Sequence, residues 1–434
     1  MSVVIGNAPY GITLGGETSG PGHSMMPAVV VGIDTPIGLA IIRDLGARGV
    51  KVIGIARAPN AIGLSSRFLS QGLLRADGAE GLIHQLVDLV QTLGDACLFA
   101  ISESDIELLN RHRTRLAGYR FMFADSARME RVLNKEQTCA AAASVGIRVP
   151  RTEQIEELSD AAILSAALHY PVILKWSNPN EVVKTLSSAG LPLDKAHYCH
   201  SDAELIAYLA QYEKVGIYPL IQEYCSGFGL AQMILMHEGR AVYTFQHQRL
   251  HEWPPEGGFS TLCMSIGPAQ HSMLMARSIA LLQTLDWDGV AMVEYRHDPA
   301  SGESAFMEIN GRFWGSLPLA CHAGATFPWF AYQLAALHKA DIQNAYINGV
   351  RCRFMIPETK RLLRILFQQG AIVDRRLKFS RRREMASYLL EFLRPSRCYY
   401  VFQWHDPKPL LSDMLQNLQR LVPASLANRL RRNS

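Results

Sequence analysis

The sequence predicts a chain of mixed class, α/β in its first part and α+β in the remainder, closing on a basic helical segment. Three observations predict this. From Pro27 to about residue 125, short apolar runs alternate with amphipathic ones, the pattern of a parallel sheet with helices on both faces. From 218 to 314, β-rich runs are joined by tight turns, which predicts antiparallel pairs. From residue 350 onward, 18 Lys/Arg stand against 6 Asp/Glu, a net +12, within runs of helical period.

Residues 1–25 are rich in Gly, Ser and Pro and are expected to form a mobile arm. Domain 26–125 follows. AVVVGID (28–34) reads as a buried strand, PIGLAIIRDLGARG (36–49) as a helix with a Gly stop, and KVIGIAR (51–57) as a second strand. GLIHQLVDLVQTLG (81–94) is an amphipathic helix, CLFAIS (97–102) a strand, and ESDIELLNRHRTRL (103–116) a helix with an acidic, Ser-rich start. The first turn, GIDTPIG, holds Gly32 and Gly38 but departs from GxGxxG. The second strand ends near Arg57 with no acidic residue to take a ribose hydroxyl, so the unit reads as a degenerate Rossmann-like module and not a dinucleotide site.

Residues 126–148 read as a helix pair, with Lys135 in the first helix and an Ala-rich run in the second. EELSDAAILSAALHY (156–170) is a helix, and YPVILKWS (170–177) a short strand ending on Lys175. YPLIQEYCSGFG (218–229) is a strand running into a Gly-broken linker. AQMILMHEGR and AVYTFQHQRL form a strand pair, and PAQHSMLMARSIALLQTLDW (268–287) is a helix.

That helix leads into the most informative stretch, VAMVEYRHDPASGESAFMEINGRFW (290–314). It reads as two strands joined by the turn residues Asp298, Pro299, Ser301 and Gly302. A hairpin centred on Ser301 places Glu294 opposite Glu308, with β-carbons about 5 Å apart. Two ionised carboxylates at that spacing repel by about 3 kcal/mol at an effective dielectric near 20. A proton or a cation between them relieves this. Asn310 adds a neutral oxygen, and Arg312 a fixed cation just beyond. The set is hard and oxygen-rich, which suits Mg²⁺ carrying a nucleotide phosphate. A solvated Glu pair is the competing reading. The apolar flanks predict instead that both glutamates lie against the protein.

Other positions carry weaker signals. Lys175 closes an apolar run and reads either as a snorkelling lysine or as an ammonium over a phosphate, with Lys135 as its partner from another lobe. Glu223 and Tyr224 sit where a purine pocket would use linker backbone. HEWPPEGGFST (251–261) carries Glu256, Gly257, Gly258, Ser260 and Thr261, whose small residues expose backbone N–H groups for an anion. Arg249, just before that loop, is a candidate for substrate carboxylate or phosphate. His247 reads as a satisfied strand histidine.

Bulk properties bound the rest. The chain has 434 residues, 48% hydrophobic and 19% charged, with net charge +4, enough for several domains. Outside the basic segment, 25 Lys/Arg face 33 Asp/Glu, a net −8. The C-terminal segment therefore reads as a basic appendage on an acidic body, able to approach anionic lipid, with a solvated surface as the alternative. No run of eighteen apolar residues and no secretory pattern is present, and the eight cysteines are scattered without a CxxC pair. A cytoplasmic protein with reduced thiols and no structural zinc is expected, with any membrane association peripheral. No nucleic-acid partner is expected.

In the order of its elements over about 27–345, and in Glu294, Glu308 and EINGRFWGS (308–316), the chain resembles the ATP-grasp superfamily. It is most similar to the bacterial carboxylate–amine ligase group, related to the large-chain halves of carbamoyl-phosphate synthase. That group often carries Pro at the position of Gly311. The resemblance implies a Rossmann-like pre-ATP-grasp domain, a two-lobed ATP-grasp domain over 126–345 (lobes about 126–215 and 216–345), and a helical extension over 346–434. It implies ATP with Mg²⁺ or Mn²⁺ as cofactors. It implies metal binding by Glu294, Glu308 and Asn310, phosphate contacts from Lys135 and Lys175, and adenine contacts near Gln222, Glu223 and Tyr224. A loop 254–261 would close over the reacting groups, and Arg312 would steady the transferred phosphoryl group. Leu230 stands near the place where the family commonly has an acidic ribose ligand. The implied activity is an ADP-forming ligase joining a carboxylate to an amine, commonly dimeric, or a catalytically silent ATP/Mg-binding regulator or scaffold.

Overall fold

In the computed structural model, residues 25–176, 179–194, 196–339, 342–395 and 397–421 are described. The predicted arm therefore lies almost wholly outside the described residues, as does the chain after Leu421. The fold is mixed α/β, built on three sheets.

The first sheet is parallel, in the order β3-β2-β1-β4-β5. Its strands are β1 (Ala28–Val31), β2 (Val52–Ala56), β3 (Gln71–Leu74), β4 (Ala96–Ala100) and β5 (Tyr119–Phe121). Strands β1, β2 and β4 are buried along their whole length, which is why their sequences are continuous apolar runs. Helices Pro36–Gly46, Gly78–Leu93 and Glu103–Arg111 intervene. Sequence periodicity misses β3 and β5. The first is a mostly exposed edge without alternation, and the second is three residues long.

Helices Ser126–Leu133 and Lys135–Ser144 lead to a four-stranded antiparallel sheet, β6-β9-β7-β8. These strands are β6 (Thr152–Glu153), β7 (Val172–Lys175), β8 (His197–Cys199) and β9 (Leu220–Glu223). Lys135 opens the second of the two helices and does not lie within the first. Asn134 caps that start, accepting the Gln137 N–H at 3.0 Å.

The third sheet has seven strands in the order β14-β13-β10-β11-β12-β15-β16. They are β10 (Phe228–His237), β11 (Arg240–Trp253), β12 (Phe259–Ser265), β13 (Gly289–His297), β14 (Ser304–Asn310), β15 (Arg351–Arg353) and β16 (Arg397–Tyr399). The basic segment is thus not only helical, because β15 and β16 extend this sheet. Nor is it an appendage. Buried Asp406 accepts from Arg43 Nε at 2.9 Å, Ser66 Oγ at 2.7 Å and the Arg67 amide at 2.9 Å, all in the first module.

The cores follow the sheets. Val30 and Phe99 of the first sheet share a cluster with Met233, Tyr243 and Trp314 of the third-sheet unit. Val29 and Leu98 share another with Ile234, Ala291 and Trp287. The four-stranded lobe has its own core around Trp176, Leu205, Tyr212 and Ile221. Two modules are therefore fused through common apolar packing, and the third is a separately packed lobe. Among the described residues no helix is long and apolar enough to cross a membrane. All eight cysteines are free.

Candidate active site

Alternation and a turn build the hairpin. β13 and β14 pair antiparallel, with Glu294 opposite Glu308 and Met292 opposite Asn310. Past Glu294 the register shifts by one, so Tyr295 faces Phe306 and Met307 bulges out. The predicted centring on Ser301 therefore holds for the carboxylates and fails towards the tip.

Asn310, 8% exposed, sits between the two acids. Its Nδ2 donates to Glu294 Oε1 at 3.1 Å and to Glu308 Oε1 at 3.2 Å. The environments of the pair differ. Glu294 is largely covered, and burial pushes its carboxyl above the ordinary range; Arg249 pulls it down, and Glu308 and Glu252 push it up. Glu308 is exposed, contrary to the expectation that both acids lie against the protein. Edge position leaves Glu308 with a neighbouring strand on one side only, while Asn310, two residues on along the same strand, is buried.

Arg249 comes from β11, two strands away from β13. It is ion-paired to Glu294 Oε2, donates to the Gly258 carbonyl at 3.1 Å and lies 3.4 Å from Glu252 Oε1. Glu252 in turn accepts from Arg296 Nη2 at 3.0 Å. Gly229 makes this cluster possible, since a β-carbon there would lie 2.6 Å from Arg249 Cδ and 3.0 Å from Glu252 Oε1. Sequence reading gave no role to Glu252 or to Arg296, although period two sets Arg296 on the strand face of Glu294. Spacing gave no signal for Glu252: three residues after Arg249 on a regular strand it would face the other way, and the register shifts between Arg249 and Glu252 bring it round.

Lys175, at the end of β7, donates to Gln222 Oε1 at 3.1 Å. Burial lowers its pKa; Glu308 raises it, and Lys135 and Arg296 lower it further. The two lysines therefore act in the same field as the Glu308 carboxylate. Gln222 also donates to Thr152 Oγ1 at 3.1 Å. Glu223 is ion-paired with Arg148 and accepts the Arg151 amide at 3.1 Å. Tyr224 donates its hydroxyl to Asp374 at 2.8 Å. A cavity of about 100 Å³ lies at this linker, lined by Arg148, Glu223, Tyr224, Cys225, Arg296 and Glu303 among others. A larger cavity of about 270 Å³, lined by Phe121, Met122, Leu235, Met236 and Leu334 among others, contains none of the sequence-selected residues.

The small-residue loop is shorter than predicted. β11 runs to Trp253 and β12 starts at Phe259, leaving 254–258 as the loop. Gly257 and Gly258 are in it. Ser260 is not: it is a buried residue of β12 beside Cys263 and Tyr400, because the strand pairing Glu252 with Ser260 continues further than the Gly-rich sequence suggested.

Arg312 turns towards the first module. Its Nε donates to Glu103 Oε1 at 3.1 Å, at the start of helix Glu103–Arg111, and its Nη1 donates to the Phe313 carbonyl at 3.2 Å. His247 is fully buried, 2.7 Å from Ser316 Oγ, with a pKa depressed by burial to about 3. Among the described residues, no group of three or more His, Cys, Asp or Glu side chains is placed to hold a metal. The hairpin offers two carboxylates and an amide, which fits an ion that completes its shell with phosphate oxygens and water.

No protein-family model matches the sequence, and no curated protein matches it. Solved structures do. The chain superposes on the biotin carboxylase domain of Hydrogenobacter thermophilus 2-oxoglutarate carboxylase, a dimer in complex with MgADP and bicarbonate. TM-score is 0.56 and identity 14%, over 75% of this chain and 73% of that one. It superposes on Staphylococcus aureus N5-carboxyaminoimidazole synthetase with TM-score 0.57 and 13% identity, over 80% and 88% of the two chains. The chain has the ATP-grasp fold. L-amino acid ligase from Bacillus licheniformis gives TM-score 0.52 and 13% identity, over 72% and 75%. Within this fold the separately packed lobe is the four-stranded one, and the carboxylate hairpin lies at one edge of the seven-stranded sheet.

Proposed function

We propose that the protein is an ATP-dependent, ADP-forming ligase that joins a small-molecule carboxylate to an amine. One observation carries the reading: Glu294 and Glu308 face each other with Asn310 between them, in an ATP-grasp fold. In the step proposed, a substrate carboxylate oxygen attacks the γ-phosphorus of ATP. A P–O bond forms, the β–γ bridge breaks, and ADP leaves. An amine then attacks the acyl carbon, phosphate departs, and the amine loses a proton to give the amide. Bound Mg²⁺ or Mn²⁺ would neutralise charge spread over the phosphate oxygens. Glu294 and Glu308 would hold it, with the Asn310 amide turned to present Oδ1 in place of its N–H₂. Lys135 and Lys175 would bind phosphate oxygens, and Arg312 the reacting centre. Gln222, Glu223 and Tyr224 would border the adenine. The loop carrying Gly257 and Gly258 would exclude water from the acyl phosphate. Arg249, tied to Glu294, would orient that carboxylate.

The test is release of ADP and phosphate that depends on both an acid and an amine. Glu308→Gln should lower turnover by roughly 10²–10³-fold, the scale of one lost charge-stabilising group. Release that continues without either co-substrate would sink the ligase reading. The second reading, a silent ATP/Mg-binding scaffold, draws on the Arg249–Glu294 pair, in which a cation already occupies one carboxylate. Nucleotide binding with no turnover against a broad substrate panel would favour it.

The same reading places the enzyme in the cytoplasm, as a homodimer, with peripheral contact to anionic membrane through 350–434. Exposed Met385, Leu389 and Leu393 run at helical spacing beside exposed Arg381, Arg382, Arg383 and Arg394, which supports that contact. Salt-insensitive behaviour in liposome flotation would count against it.

A further inference from the structure

The basic segment reaches back to the linker between the lobes. Its first helix, Met355–Phe367, is rooted on the seven-stranded sheet. Buried Glu358 accepts from His251 Nδ1 at 2.6 Å and from Thr261 Oγ1, on β11 and β12. From that root the chain runs through residues 373–376 to the four-stranded lobe. Arg375 pairs with Glu204 at 2.8 Å. His200 Nε2 lies 3.4 Å from the Val373 carbonyl. Asp374, 2% exposed, accepts the Tyr224 hydroxyl at 2.8 Å, and the Arg376 guanidinium lies 4.8 Å from the centre of the Tyr224 ring.

A second contact closes the same edge. Tyr198 of β8 donates to the Glu256 carbonyl at 2.8 Å, in the small-residue loop, and the rings of Tyr198 and Tyr224 are 6.3 Å apart. Arg364, on the rooted helix, lies 3.7 Å from Glu256. Two neighbouring tyrosines at the lobe edge are thus gripped from the large unit, one by the loop and one by 373–376. Behind them the linker cavity is about 100 Å³. Pockets that hold a drug-sized ligand begin at about 300 Å³. A nucleotide base seated in that cavity needs it to widen, which an outward movement of the four-stranded lobe would supply. That lobe has its own core, so it can move as a body.

We propose that residues 373–376 are a strap that holds the four-stranded lobe closed and times the exchange of nucleotide, with Asp374 and Arg376 acting through Tyr224 as positioning residues. The proposal rests on the nucleotide reading of the linker. It assigns to the C-terminal segment a task at a site formed by residues some 150 positions earlier in the chain. Opening requires the part-buried Tyr224–Asp374 hydrogen bond to break, so closure and release are coupled to that one contact.

The test uses the full-length protein and a fluorescent ATP analogue with Mg²⁺ in stopped flow. Asp374→Asn, Tyr224→Phe and Arg376→Ala should each speed analogue release, the first two by about tenfold, the scale of one lost hydrogen bond. The double variant Tyr224→Phe with Asp374→Asn should release no faster than the quicker single one, because both remove the same contact. Hydrogen exchange over 197–227 without nucleotide should rise in the same variants, while exchange in β1 and β4 stays as in the wild type. Release and exchange both within twofold of wild type, in a protein that binds the analogue, would overturn the strap and leave the nucleotide reading standing. Raised exchange in the variants, with a wild-type protein that never binds the analogue, would overturn nucleotide gating together with the nucleotide reading.

Discussion

Arg312 and Glu103 join the two fused modules at the site, with Nε of the arginine 3.1 Å from Oε1 of the glutamate. The acid stands at the start of helix Glu103–Arg111, and the arginine follows the strand that carries Glu308 and Asn310. Both side chains are partly exposed, at 23% and 42%. As an ion pair the contact is worth no more than about 1 kcal/mol. Arg312→Ala should therefore cost less than about 1 kcal/mol in urea unfolding, yet lower turnover by roughly 10²–10³-fold if the guanidinium also meets the reacting phosphoryl group. A small stability loss with turnover kept within tenfold would assign Arg312 to structure alone.

Gly229 should not tolerate a methyl group. An added β-carbon would press on Arg249 Cδ at 2.6 Å and on Glu252 Oε1 at 3.0 Å, and neither is free to retreat, since Arg249 is held by Glu294 and Gly258. Gly229→Ala should destabilise by about 1–3 kcal/mol, the usual range for overpacking. It should also lower turnover at least tenfold by shifting Arg249 against Glu294. An unfolding midpoint equal to wild type would refute the crowding.

Asp406 should be indispensable to the way the C-terminal segment is held. It is 1% exposed and takes three donors from the first module, including buried Arg43. Breaking one side of such a buried pair costs about 3–5 kcal/mol. Asp406→Ala should lose that much, and a shortened chain lacking 397–434 should fail to fold. A stable truncated protein would mean that the segment is a dispensable cap.

Buried His247 and half-buried His322 should make the fold acid-sensitive. Burial depresses His247 to about 3 and His322 to about 4, against about 6.5 for the unfolded chain. Each binds fewer protons folded than unfolded, so stability is present above the unfolded value and lost as pH falls towards the folded one. Between about pH 6 and 4 each should contribute a slope of about 1.4 kcal/mol per pH unit. His322 donates from Nε2 to the Tyr399 carbonyl at 3.2 Å, and His322→Gln keeps a donor while removing the titration. The variant should show the shallower slope in urea unfolding across this window; equal slopes would refute it.

Much of this was legible in the chain itself. Alternating buried strands predicted the parallel sheet, and period-two patterning around a Pro–Gly turn predicted that Glu294 faces Glu308. What local patterning mislaid were edges and ends. β3 is exposed and β5 is short, so neither carries an apolar signal. Ser260 passed for loop because small residues precede it, although strand pairing continues through it. Lys135 was placed one helix early, because Asn134 breaks the pair there and periodicity cannot see a cap.

Strand order within neighbouring runs, the acid pair and the apolar cores are properties of the sequence alone, since they depend on side chains a few residues apart and on which faces shun water. The tertiary structure decided the rest: that Arg312 meets Glu103 across 209 positions, Tyr224 meets Asp374 across 150, and Arg43 meets Asp406 across 363. Such contacts form only after the modules have packed. The residues that make them are polar and carry no periodic signal, so their partners are chosen by the shape of the assembled chain.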